Sequence, residues 1–145
     1  MGIKDPSLKA AETGTVDIKR PDGEPALFNN DPKCPIRIEV YGPASKQYRK
    51  ARSEQSNRQI ELLRKKGNAF KTTEEAKNRE TAAFLADITI AMQNMEYTDD
   101  TTGEDLAGRD LHLAVYSDRS IGYMADQVYE YVSAWENFSQ ASPTT

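Results

Sequence analysis

Cys34 and His112 are the chain's single cysteine and single histidine, and they limit the nucleophilic and metal chemistry open to it. A thiol attacks well when an imidazole lowers its pKa, so catalysis of that kind requires these two residues to meet across the fold. A structural zinc centre takes four Cys or His ligands, which the chain does not have. Cys34 lies beside Pro32 and Pro35 in a loop, and His112 between Leu111 and Leu113 reads as a partly exposed surface imidazole. One cysteine cannot form an internal disulfide, in keeping with a reducing compartment. Asp99-Asp100-Thr101-Thr102-Gly103-Glu104-Asp105 offers oxygen donors for a hard cation. It lacks the alternating ligand order and closing glutamate of a calcium loop, and reads instead as a solvated acidic loop. Gly42, Gly67, Gly103 and Gly108 stand singly, so no glycine-rich phosphate cradle is present. The expectation is a protein that is not an enzyme, with no catalytic residues, no cofactor and no metal.

What remains is binding, and the charge pattern bears on it. The net charge is -4, but the signs are segregated. Lys33, Arg37, Lys46, Arg49, Lys50, Arg52, Arg58, Arg64, Lys65 and Lys66 crowd one third of the chain, while Asp99, Asp100, Glu104, Asp105 and Asp110 crowd another. Arg49, Arg52 and Arg58 on an exposed helix could neutralise phosphates. However, the chain as a whole is acidic, and its aromatics are not interleaved with the basic residues as base-stacking platforms would be. Association with another chain or a second copy, basic helix against acidic loop, uses the segregation better.

A second binding candidate is the apolar seam of Ile121, Met124, Val128, Tyr131, Trp135 and Phe138, whose alternating steps of three and four place them on one helical face. Opposite stand Asp126, Gln127, Glu130, Ser133, Glu136 and Asn137. The seam either closes the core or receives a partner. The core is the favoured assignment, because amphipathic helices of small domains usually face inward.

The elements that must position these residues follow from periodicity and turn chemistry. Thr15–Lys19 and Ile36–Tyr41 alternate apolar and polar residues and read as half-buried strands. Pro21-Asp22-Gly23 and Asn29-Asn30-Asp31-Pro32 supply turns between them, with Ala26-Leu27-Phe28 as a short third member. Gly42-Pro43 ends the second strand and Ser45 caps a helix over about 45–66, closed by Gly67. Its thin inner face is Tyr48, Ala51, Gln55, Ile60, Leu62 and Leu63. A second helix over about 72–93 opens with capping-box spacing between Thr72 and Glu75, and Phe84, Ile88, Ala91 and Met95 line its inner face. The β-branched run Ile88-Thr89-Ile90 makes its last turns the weakest. Leu111–Val115 forms a turn or two of helix before a terminal helix over about 118–139. The fold class is α+β: a small N-terminal antiparallel β-sheet followed by three principal α-helices.

Length and composition agree with one domain of 145 residues, 37% hydrophobic and 29% charged, with a mean hydropathy of -0.76. Residues 13–140 form the domain, flanked by flexible tails at 1–12 and 141–145. No apolar stretch approaches the ~20 residues of a membrane span, and no secretory signal opens the chain, so the expectation is a cytosolic protein without a membrane partner.

The order of segments resembles the tail assembly chaperones of long-tailed bacteriophages. The similarity rests on Val-x-Ile-Lys-x-Pro-x-Gly-Glu-Pro from Val16 to Pro25, on Gly42, Ser45, Tyr48 and Arg49, and on Gln55, Asn57 and Arg58. It continues through Asp126-Gln127-Val128 and Glu136-Asn137-Phe138. It departs at Met95-Glu96-Tyr97, where similar proteins carry a Trp-Gly-like turn. The resemblance implies a non-catalytic protein that coats the tape-measure protein in the host cytoplasm, helps recruit tail tube subunits, is absent from the mature virion, and in some cases also exists in a frameshift-extended form. Together with the charge and the seam it makes Arg49, Arg52, Arg58, Tyr131, Trp135 and Phe138 the candidate partner-binding residues, with self-association as a further option. The alternatives are a structural tail component, such as a tail-completion or tube-associated subunit, and, more weakly, a basic-helix nucleic-acid-binding protein.

Overall fold

Alternating residues at the two N-terminal strands place Val16, Ile18, Ile38 and Val40 on one face, and in the computed structural model, which describes residues 2–66 and 73–139, that face floors the core. β1 (Thr13–Asp17) pairs antiparallel with β2 (Arg37–Tyr41), Val16 opposite Ile38. On the solvent face Arg37 Nε meets Asp17 Oδ1 at 2.9 Å, an exposed pair that contributes at most about 1 kcal/mol. The third strand of the sheet is not Ala26–Phe28. From Pro25 to Leu27 the chain makes only isolated bridges, Lys19 with Pro25 and Leu27 with Pro35, because proline has no N–H for a ladder.

β3 comes instead from the middle of the chain. α1 (Lys46–Lys66) and α2 (Glu74–Ile88) pack as an antiparallel pair, and α2 passes directly into β3 (Thr89–Gln93), which pairs antiparallel with β2 to give the order β1-β2-β3. The helix expected to reach residue 93 therefore ends at Ile88. Thr89 works at this junction: its Oγ1 donates to the Leu85 carbonyl at 2.7 Å and accepts from the Tyr116 hydroxyl at 2.6 Å. Ile90 is the extra residue of a bulge, since Val40 faces Thr89 while Glu39 faces Ala91. Asn94, at φ 60°, ends the strand and donates to the Pro35 carbonyl at 2.6 Å.

α3 (Gly108–Ser117) is longer than the turn or two expected, and is tied to α2 by Arg109 with Asp87 at 3.0 Å. The terminal helix is interrupted: a 3-10 turn at Arg119–Ile121, α4 (Gly122–Val132), and a second 3-10 turn at Trp135–Phe138. Phe84, Leu85, Ile88, Val115, Val128, Val132 and Phe138 fill the core above the sheet. Among the described residues of α1 only Tyr48 and Ala51 are buried, and no described α2 residue before Ala82 is, so the far half of the α1–α2 pair stands clear of the core.

The caps divide between expectation and correction. Ser45 does cap α1, accepting from Tyr48 N at 3.0 Å and donating to the Gly42 carbonyl at 2.7 Å. The cap of α2 is Thr73, whose Oγ1 accepts from Ala76 N at 3.1 Å. Thr72, Gly67 and the tail at 141–145 lie outside the described residues. The N-terminal segment is not wholly a free tail: Ala11 N donates to the Phe138 carbonyl at 2.6 Å and Glu12 O accepts from Gly42 N at 2.8 Å.

Candidate partner-binding surface

Trp135 is 60% exposed, although Met124, Val128 and Phe138 of the same sequence seam are buried. The cause is a break in the helix. Ser133 Oγ donates back to the Tyr129 carbonyl at 2.7 Å, and Ala134 takes the extended angles φ −109° and ψ 110°. The chain restarts as a 3-10 turn, and the shared face that a continuous helix would give Tyr131, Trp135 and Phe138 is lost. Phe138 turns inward to 1% exposure and Trp135 turns out.

Two grooves meet at Trp135. Pro43, Tyr48, Arg49, Arg52, Ser53, Val132 and Ser133 line the first, of about 550 Å³. Lys9 to Thr13 and Ala44 line the second. An exposed indole between two concavities, with cations on one wall, has the composition of an interface hot spot, where aromatic anchors and arginines are enriched.

The six candidate residues separate. Arg49, Arg52 and Trp135 share the first groove. Arg49 is exposed and makes no ion pair among the described residues. Arg52 is already engaged: its guanidinium sits 4.6 Å from the Phe84 ring centroid and 5.6 Å from that of Tyr48, and it donates to Gln55 Oε1 at 2.9 Å. Arg58 is committed to α2 through Glu80 at 2.6 Å. Phe138 is core, and Tyr131 meets it edge to face at 5.3 Å while donating to the Asn137 carbonyl at 3.3 Å. Arg58, Tyr131 and Phe138 are thus fastenings within the fold.

The motif residues behind the resemblance have structural work as well. A Cβ at Gly42 or Gly14 would collide with the Phe138 ring, so glycine at both is required by close approach. Gln127 pairs with the backbone of Lys19, and Asn137 Nδ2 donates to the Tyr131 carbonyl at 3.0 Å.

The other chemical candidates lie elsewhere. Cys34 Sγ lies 3.7 Å from Asp31 Oδ2, and burial together with that carboxylate pushes the thiol pKa up, away from nucleophilic behaviour. His112 is buried at 7% exposure, contrary to the surface position expected, and desolvation lowers its pKa. The acidic loop folds on itself: Asp99 Oδ1 accepts from Thr101 N at 2.8 Å and Asp105 Oδ1 from Thr98 Oγ1 at 3.2 Å. Among the described residues no group of three or more His, Cys, Asp or Glu is placed to hold a metal, and no helix is long and apolar enough to cross a membrane.

Sequence periodicity missed two residues. Ile60 and Leu63, expected on the inner face of α1, are 53% and 52% exposed. Their spacing from Arg49 was the available signal, since steps of 11 and 14 residues return to the same side of an α-helix. No protein-family model, curated protein or solved structure matches the chain.

Proposed function

We propose that this chain is a non-catalytic phage tail assembly chaperone that covers the tape-measure protein and helps recruit tail tube subunits. The observation that carries the reading is Trp135, exposed between two grooves with Arg49 and Arg52 on one wall. The order of motifs from Val16 to Phe138 that resembles such chaperones supports it. A tape measure is a long amphipathic chain that aggregates if bare. A small domain offering one aromatic anchor and a charged rim binds such a chain reversibly, because few contacts are fully desolvated and displacement by a larger interface costs little. The protein acts in the host cytoplasm and leaves before the virion is complete.

Co-expression should keep the tape-measure protein soluble, and mass spectrometry of purified particles should find this chain missing. Stoichiometric presence in mature tails would replace the chaperone with a structural tail component. Retention on a DNA column at physiological salt, lost on reversing Arg49, would favour the nucleic-acid reading of the basic helix.

A further inference from the structure

The groove at Trp135 does not end at the base of α1. Arg49, Ser53, Ser56, Ile60 and Leu63 follow one another at steps of four, three, four and three, which is a single stripe along one helix face. Every one of these side chains is exposed, and Ile60 and Leu63 are the large apolar ones, at 53% and 52%. Arg49 and Ser53 also line the groove beside Trp135, so the stripe and the groove are one surface. From Arg49 to Leu63 it extends about 21 Å at ~1.5 Å per residue, or about four helical turns. An apolar anchor stands at each end: Trp135 at the base, Ile60 with Leu63 at the far end. Between them Ser53 and Ser56 present nothing long enough to obstruct an approaching backbone. Over its whole length the sequence of this helix has eight basic residues, Arg49 of the stripe among them, and two acidic ones.

We infer that this face of α1, continued to Trp135, seats one amphipathic α-helix of a partner protein, with apolar residues facing the stripe and acidic residues facing its rim. The inference rests on the reading above that the chain acts by binding protein, and says where and what it binds. The charge selects an acidic partner, since complementary potentials speed encounter and fix register. The shape selects a helix: the stripe from Arg49 to Leu63 runs straight for about four turns, with the groove of Trp135 at one end and Ile60 and Leu63 at the other, and such a face matches apolar residues recurring every three or four positions. A second copy's acidic loop fits less well. Thr98–Asp105 supplies carboxylates but no apolar side chain to cover Trp135, Ile60 and Leu63. Nucleic acid would satisfy the arginines and could stack on the indole, yet leaves the two aliphatic side chains in water.

Trp135 is the only tryptophan, so its emission reports the site directly, moving to the blue when the indole leaves water. The test uses a synthetic helical peptide of about 18 residues, long enough for the stripe, with leucine at every third and fourth position and glutamate on the flanks. Addition to the full chain should shift the emission, and rising salt should weaken the binding. The same peptide with lysine for glutamate should not bind. Ile60→Ser with Leu63→Ser should weaken the acidic peptide roughly tenfold or more while leaving thermal unfolding in place, because neither side chain is in the core. Ser56→Trp, midway along the stripe, should block it.

An unshifted emission, or equal affinity in the Ile60→Ser/Leu63→Ser variant, overturns the inference, as does duplex DNA that binds more tightly than the acidic peptide. The two readings also fail separately. If the double variant still keeps co-expressed tape-measure protein soluble, the stripe is wrong and the chaperone stands. If the peptide binds through the stripe but the wild-type chain solubilises no tape-measure protein, the stripe stands and the chaperone falls.

Discussion

The side-chain amide of Gln127 pairs with both backbone groups of Lys19: Oε1 accepts from Lys19 N at 2.8 Å and Nε2 donates to Lys19 O at 2.6 Å. A residue on α4 thereby imitates a neighbouring strand just beyond β1. Further along the same side, Ala11 N donates to the Phe138 carbonyl and Ala10 bridges Ser139. β1 is an outer strand of the sheet, and its free edge would otherwise invite pairing with another chain. The C-terminal segment flanks that edge at both ends of β1.

Gln127→Ala should cost about 1–2 kcal/mol, the contribution of two partly exposed hydrogen bonds. It should also speed amide exchange at Lys19 and raise self-association at high concentration. Unaltered exchange at Lys19 in the variant would show that Gln127 does not guard the edge.

Trp135 and Phe138, three residues apart, should behave oppositely. Phe138→Ala empties a core position and should destabilise by about 3–5 kcal/mol in urea unfolding. Trp135→Ala should cost less than about 1 kcal/mol, as substitutions at exposed positions do, yet abolish partner capture. A large stability loss at Trp135 would return it to the core.

Arg49→Glu and Arg52→Glu separate binding from folding. Arg49 has no ion pair among the described residues, so its reversal should leave the unfolding midpoint unchanged and weaken an acidic partner most at low salt. Arg52 lies over Phe84 and Tyr48, so its reversal should also lower stability by about 1–2 kcal/mol. Equal thermal effects from the two reversals would contradict this division.

His112 gives a pH dependence whose sign follows from its burial. Its native pKa is held below the ordinary 6.5 by desolvation. Above pH 6.5 the imidazole is neutral in both states and its contribution is fully present. As pH falls below 6.5 the unfolded chain takes up the proton first, and stability declines until the native pKa is passed. Denaturant unfolding just below pH 6.5 should show this slope, and His112→Leu should flatten it. A variant with the wild-type slope would assign the dependence to other groups.

The sequence by itself determined the α+β class, the pairing of the two N-terminal strands, the Ser45 cap and the inward side of Phe84 and Ile88, because each depends on local periodicity or on a hydrogen bond spanning three residues. It also marked Arg49, Arg52 and Trp135 as candidates, and the fold brings these three to one groove. What only the tertiary structure decided is where periodicity changes character. Ile88-Thr89-Ile90 can continue a helix or begin a strand, and the vacant side of β2 together with the Thr89–Tyr116 hydrogen bond chose the strand. Trp135 fits a continuous seam by spacing alone, but the break at Ser133 and Ala134 turned it outward while the glycines at 14 and 42 made room for Phe138. Arg58 looked free until Glu80 on a separate helix came within 2.6 Å. In each case the deciding partner lies far along the chain, and only packing brings such partners together.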